Sequence, residues 1–181
     1  MTIQTVVMSS GAPASRALSL WLSLRGLAWR YGSRDYGIEH CRNQAVRRFL
    51  QEDQADYLLM LDCDMVPIAG TDAILTADGD LCYCAAHGRF DSSGHVGSNN
   101  FGAACCRLSR KMLLDLADPW FHIERAGGVM VSCECEYFRR RAVAAGYVPC
   151  MVGGIGHEQR CVLLPDGSIA WPPECEGLWT K

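Results

Sequence analysis

Two aspartates, Asp62 and Asp64, stand one residue apart directly after the unbroken apolar run Tyr57-Leu58-Leu59-Met60-Leu61. Such a run reads as a strand covered on both faces, and it stops abruptly at the acids. In extended geometry residues two apart project to the same side, roughly 6 to 7 Å apart at Cα, so both carboxylates can address one ligand. A hard divalent cation such as Mg²⁺ or Mn²⁺ wants carboxylate and phosphate oxygens together. Two acids at a strand mouth supply the protein's part of that shell, and a nucleoside diphosphate supplies the rest. The plainer alternative is that Asp62 and Asp64 end the strand and cap the turn before Pro67. Further polar groups lie at similar breaks. Ser9 and Ser10 follow the short apolar strand Gln4 to Met8 and open a turn, Ser9-Ser10-Gly11-Ala12-Pro13, that can bring backbone N–H groups to a ligand. His87 ends the run Leu81 to Ala86, ahead of the glycine-rich segment Gly88 to Asn100, and is a candidate to face the same ligand.

The elements that must position these groups alternate along the chain. Ala17, Leu18, Leu20, Trp21 and Leu24 repeat at helical spacing, and Leu27 to Tyr31 returns as a strand. A helix over Glu39 to Leu50 carries Ala45, Val46, Phe49 and Leu50 as one stripe, followed by the strand that ends at Asp62. A short helix around Ala73-Ile74-Leu75 leads to the strand Leu81 to Ala86, and Phe101 to Cys106 predicts another. Ser109 is placed to cap a helix bearing Met112, Leu113 and Leu116. Glu134 to Ala145 reads as a helix closed by Gly146, and Tyr147 to Val152 as the last strand, broken by Gly153-Gly154-Ile155-Gly156-His157. Strands alternating with helices predict an α/β sandwich with a mainly parallel sheet, in which ligands bind beyond the carboxyl ends of the strands.

With 181 residues, 49% of them apolar, the chain is expected to form one domain over 1–181, with a turn-rich C-terminal tail over 165–181. It has no apolar run of membrane-spanning length and no signal-like start, which predicts an intracellular, cytoplasmic protein. The net charge of −3 gives no overall pull toward nucleic acid. Arg outnumbers Lys fifteen to two, however, and the clusters Arg47-Arg48, Arg107/Arg110/Lys111 and Arg139-Arg140-Arg141 are expected on helices, as solvated faces or as phosphate contacts. The eleven cysteines sit in apolar runs and read as buried free thiols, with zinc at the C-x-C pairs Cys82/Cys84 and Cys133/Cys135 as the alternative.

The order of these blocks resembles a known family. Cys41-Arg42-Asn43-Gln44-Ala45, a helix, and then Tyr57 through Asp62-Cys63-Asp64-Met65-Val66-Pro67 looks like the DxD block of GT-A glycosyltransferases, above all the family-2-like ones. Phe101 to Ser109 with Trp120-Phe121 is similar to that group's acceptor-side segment. Glu134-Cys135-Glu136-Tyr137-Phe138-Arg139-Arg140-Arg141-Ala142 with Ala145-Gly146 is similar to its catalytic helix. The resemblance covers about residues 38 to 160 and implies a GT-A-like three-layer α/β/α sandwich. It also implies a nucleotide-sugar donor, UDP-linked rather than GDP-linked by preference, and a Mn²⁺ or Mg²⁺ ion. In that scheme Asp64 chiefly holds the cation, Asp62 lies near the ribose or a metal-bound water, and His157 is a third protein ligand. Arg42 and Asn43 hold the nucleotide, Arg42 having a surface pair with Glu39 as its alternative, while Trp120 and Phe121 offer a platform or simply core. One departure stands out: Cys135 occupies the position where the family usually has the aspartate that deprotonates the acceptor hydroxyl. Glu134 and then Glu136 become the candidate bases, because a carboxylate suits that role and a thiol does not; a retaining enzyme needs no such base.

The expected function is therefore transfer of a hexosyl or pentosyl unit to a hydroxyl acceptor, either a glycan or a modified DNA base of the kind that virus-encoded enzymes decorate. The alternatives are a catalytically inactive nucleotide-sugar or metal-binding module, and a nucleotidyltransferase, which would want a glycine-rich loop and a lysine that Ser9 to Pro13 does not supply.

Overall fold

The computed structural model describes residues 1–9, 13–32, 37–87, 101–157, 162–163 and 169–170, with backbone alone at 86–87, 157, 162–163 and 169–170. Its centre is a seven-stranded sheet. In spatial order the strands are β2 (Trp29–Tyr31), β1 (Ile3–Met8), β3 (Tyr57–Asp62), β6 (Cys105–Ser109), β5 (Leu81–His87), β9 (Pro149–His157) and β4 (Met65–Pro67). Strands β2, β1 and β3 pair in parallel, as do β5 and β9, while β6 and the edge strand β4 run against their neighbours. Five of the seven strands therefore run one way.

Alternation along each strand divides the core into two layers, as the period of two requires. Val6, Met8, Leu58, Met60, Leu81, Tyr83, Cys106 and Leu108 meet the helices α2 (Ile38–Glu52), α4 (Arg110–Leu116) and α5 (Glu134–Ala144) through Val46, Phe49, Leu113 and Phe138. Val7, Leu59, Leu61, Cys82, Cys84 and Cys105 meet α1 (Arg16–Leu24) and α3 (Ala73–Thr76) through Leu18, Leu22 and Ile74. Helices cover both faces, which makes the three-layer α/β/α sandwich. Beyond it lie a hairpin of β7 (Glu124–Ala126) and β8 (Val129–Ser132) and a small pair of β10 (Val162–Leu163) and β11 (Ile169–Ala170).

Two strands differ most from their expected bounds, for identifiable reasons. The glycines after Val152 do not break β9; the strand runs on through Gly153, Gly154 and Gly156 to His157, paired with β5 on one side and β4 on the other. A Cβ at Gly153 would lie 2.4 Å from the Gly70 carbonyl oxygen, so glycine is there for close backbone approach and not for a turn. The strand expected at Phe101 to Cys106 is shifted to Cys105–Ser109. Its extension is disguised by Arg107, which is fully buried on β6, lies 4.4 Å over the Tyr57 ring and donates to the carbonyls of Ala77 and Gly79.

Other arginines expected on helix faces are engaged by the protein's own carbonyls and carboxylates, Arg47 and Arg140 at the surface. Arg110 donates to the carbonyls of Phe49, Asp53 and Ala55 at the end of α2, satisfying acceptors that a helix terminus leaves open. Arg141 does the same for Leu116, Ala117 and Pro119 after α4. Arg47 pairs with Asp118, Arg139 with Glu136 and Arg140 with Glu124. Among the described residues no helix is long and apolar enough to cross a membrane.

Candidate functional site

The carboxyl ends of β3, β5 and β9 lie along one edge of the sheet, and the acids stand there. Strand β3 delivers Asp62, whose N–H donates to Ala104 O at 2.8 Å, and the N–H of Cys63 donates to Met8 O at 2.8 Å. The ends of β1 and β3 and the approach to β6 thus hold the turn from below. The chain then passes through Asp64, which is partly exposed, into β4.

Ser15, absent from the sequence-based candidates, clasps this turn from the side. As N-cap of α1 it accepts from Leu18 N–H at 3.0 Å, while its own N–H donates to Cys63 O at 2.6 Å and its hydroxyl donates to Met65 O at 2.7 Å. The residues on both sides of Asp64 are therefore tied to the first turn of α1. A serine ahead of an amphipathic helix is legible as a cap; that it also grips a loop fifty residues away is not.

Strand β4 pairs with β9 so that Met65 lies opposite His157, and His87 at the end of β5 lies opposite Gly156. The backbone positions of Asp64, His87 and His157 share one edge of the sheet. The side chains of His87 and His157 lie outside the described residues, as does Ser10. Ser9 is buried just past the end of β1.

Beneath Asp62 runs a buried line of charge. Arg42, on the buried face of α2, has a side chain only 2% exposed; its Nη2 donates to Asp62 Oδ1 at 3.1 Å, and its Nε lies 3.7 Å from Glu134 Oε1. Burial alone would lower the Arg42 pKa, but the charges of Asp62, Cys135, Glu134 and Cys106 outweigh it and the guanidinium is held more firmly protonated than usual. Glu39 is not its partner: that carboxylate is engaged with His122 Nδ1 at 2.8 Å and the N–H of Ile123 at 3.1 Å. Asn43, next on the helix, uses its amide to pin the following segment, donating to Phe121 O at 2.7 Å and accepting from the N–H groups of Trp120 and Phe121 at 3.0 Å. Trp120 and Phe121 belong to the core. The indole donates to Leu113 O at 2.7 Å, and Phe121 stacks on Phe138 at 4.6 Å between centroids.

The two candidate bases part company at the start of α5. Glu134 is buried and turned toward Arg42, whereas Glu136, two residues on and so about 200° further round the helix, forms a two-pronged pair with Arg139 at 2.7 Å and 2.7 Å. Cys133 caps the helix, its sulfur accepting from Glu136 N–H at 3.4 Å. A hydrogen bond from Cys135 lowers the Cys133 thiol to about 6. The same bond, with burial, pushes Cys135 well above the ordinary thiol range.

A hollow of about 500 Å³ lined by Gly79, Asp80, Lys111, Asp115 and Tyr147 lies at the amino ends of β5 and β9. Ligands of α/β sheets collect at the opposite, carboxyl edge, which is where Asp62 and Asp64 are.

No protein-family model matches the sequence, and no curated protein matches it. Solved structures do match the fold. The A197 protein from STIV is similar at a TM-score of 0.60 and 17% identity, with 94% of each chain covered. A Drosophila β-1,4-galactosyltransferase 7 mutant in complex with manganese, UDP-Gal and xylobiose is similar at a TM-score of 0.50 and 12% identity, over 98% of this chain and 73% of that one. A glycosyltransferase involved in glycosylation of the major capsid of PBCV-1 matches at a TM-score of 0.43 and 14% identity, over 66% and 70%. At these identities the likeness is one of architecture: the chain has a GT-A-like, glycosyltransferase-like α/β fold.

Proposed function

We propose that this protein is a metal-dependent glycosyltransferase that moves a sugar from a nucleoside-diphosphate donor, UDP-linked by preference, to a hydroxyl acceptor. The observation that carries the reading is the turn Asp62-Cys63-Asp64 at the carboxyl end of β3, clasped by Ser15 and followed by a strand whose first residue, Met65, lies opposite His157. Two carboxylates and an imidazole are a donor set that suits Mn²⁺, and Mg²⁺ when phosphate and water oxygens complete the shell. Asp64 and His157 would hold the ion, with Asp62 beside them. When bound, the cation stabilises the charge that develops on the departing diphosphate.

The chain's own residues do the rest. Arg42 acts as a positioning residue: its guanidinium fixes the Asp62 carboxylate from below and faces Glu134 on its other side. Glu134 is favoured as the group that takes the acceptor proton, because Glu136 is committed to Arg139. Asn43 serves the site indirectly, by holding the segment of Trp120 and Phe121 on which α5 packs. The acceptor is a glycan or a modified nucleic-acid base; the pairing of most clustered arginines with the protein's own carbonyls and carboxylates favours the glycan.

The test is a thermal-shift screen of nucleoside diphosphates with and without Mn²⁺. UDP should raise the midpoint only when the ion is present, since a ligand that binds the native state alone stabilises it by mass action. Asp64→Ala should abolish that shift and the turnover of donor while leaving the midpoint of the unliganded protein within a few degrees. Retention of the ion-dependent shift in Asp64→Ala would refute the metal assignment.

A further inference from the structure

We propose that Cys133, Glu134 and Cys135 form a second cation site, for Zn²⁺, at the amino end of α5. The sulfur of Cys133, a carboxylate oxygen of Glu134 and the sulfur of Cys135 all lie within 4.8 Å of one another. Tetrahedral zinc with Zn–S near 2.3 Å has ligand-to-ligand edges of about 3.5 to 4 Å, so small side-chain rotations would bring the three atoms onto one ion. Adjacent residues can converge here because Cys133 is still extended, at φ −77° and ψ 165°, and the chain turns into the helix between it and Glu134. On a straight strand Glu134 would point away from both cysteines.

Backbone donors point at both sulfurs. Each thiol receives a backbone amide, Cys133 from Glu136 N–H at 3.4 Å and Cys135 from Ala103 N–H at 3.4 Å. The positive end of an eleven-residue helix lies beneath them. Behind the ligands sits Arg42, 1% exposed, with Nε and Nη1 lacking a hydrogen-bond partner among the described residues and Nε within 3.7 Å of Glu134 Oε1. Unpaired donors on a buried guanidinium are costly. They are in place to support a carboxylate and thiolate bound to metal, as groups behind metal ligands commonly do. The ion's double charge offsets the two thiolates, and the guanidinium, which also pairs with Asp62, faces the carboxylate. Two sulfur ligands select Zn²⁺ over the hard ions that suit Asp62 and Asp64, and three protein ligands leave a fourth position for water or an outside group. Zinc held here would occupy Glu134, so it would inhibit any reaction that uses that carboxylate as base.

Metal uptake tests the site without recourse to transfer activity. The reduced full chain is titrated with Co²⁺, read by sulfur-to-cobalt charge-transfer absorption, and then with Zn²⁺ against a chromophoric chelator. One equivalent of Co²⁺ should produce the band and one of Zn²⁺ should displace it. Cys133→Ser, which keeps a hydroxyl at the helix cap, should lose about half the band and at least ~10-fold in zinc affinity, and Arg42→Met about 10-fold. Absence of the band from the reduced protein, or an unchanged band in Cys133→Ser, would overturn the proposal, the second outcome placing the ion on other thiols of this cysteine-rich chain. The Mn²⁺-dependent UDP shift, measured on the same sample, reports the nucleotide site separately.

Discussion

Replacing Arg42 by methionine keeps the apolar stem that packs under the sheet and deletes only the guanidinium. Asp62 and Glu134 are then left facing each other's charge without the cation between them. Removing one partner of a buried ion pair costs about 3 to 5 kcal/mol, most of it the penalty of stranding the other charge. The Asp62 side chain is 21% exposed and that of Glu134 11%, so water recovers part of this and the lower end, about 3 kcal/mol, applies. For a chain of this size each kcal/mol lowers the midpoint by about 2 to 4 °C, which predicts a fall of about 6 to 12 °C for Arg42→Met. The assay is thermal and urea denaturation of the wild type, Arg42→Met, Asp62→Asn and the double variant. Because the two side chains touch, the cycle should show a coupling of about 1 to 2 kcal/mol, the double variant being more stable than the sum of the singles predicts. A midpoint loss below about 2 °C, or strict additivity, would show that Arg42 is not the electrostatic support of Asp62.

Other consequences are equally direct. Ser15→Ala removes the cap of α1 and the clasp on Met65 and should cost about 1 to 2 kcal/mol in urea denaturation, while also weakening the Mn²⁺-dependent UDP shift, because the turn carrying Asp64 loses its lateral hold. Gly153→Ala drives a methyl into the Gly70 carbonyl and should destabilise by about 1 to 3 kcal/mol, with Gly154→Ala as a comparison that denaturation at equal pH will rank. Asp72 links α1 to α3 by accepting from Arg25 and from Trp21 Nε1 at 2.8 Å, and the bond from Arg25 holds its carboxyl below the usual range. A depressed carboxylate stabilises the fold above its unfolded pKa of about 3.9 and loses that contribution as pH falls through the folded value. The wild type should therefore exceed Asp72→Asn in urea midpoint at pH 7, and the gap should close as the medium is acidified below about pH 4.

Much of the architecture was legible because it follows from local periodicity. Tyr57 to Leu61 could only be a strand covered on both faces, Ser109 capped α4 as expected, accepting from Met112 N–H at 3.1 Å, and Gly146 followed the end of α5 with a positive φ of 89°. The stripe of Ala45, Val46 and Phe49 lies against the sheet as its spacing requires. The hairpin of β7 and β8 escaped because Val129, Met130 and Val131 are all exposed, so no buried alternation announces it.

The order of residues along the chain by itself determined that two acids end a buried strand, that helices alternate with strands, and that Cys135 stands next to Glu134. These are matters of composition and spacing within a few residues. Which charges meet was decided only by the tertiary structure. Arg42 could reach Glu39 on its own helix surface, yet α2 turns it inward to Asp62 and Glu134, residues twenty and ninety-two positions away, and gives Glu39 to His122. Likewise nothing near Met65 names His157 as its neighbour; the antiparallel ladder of β4 on β9 does. Helical periodicity specifies a face, but what lies across from that face depends on how distant elements pack, and packing is a property of the whole chain.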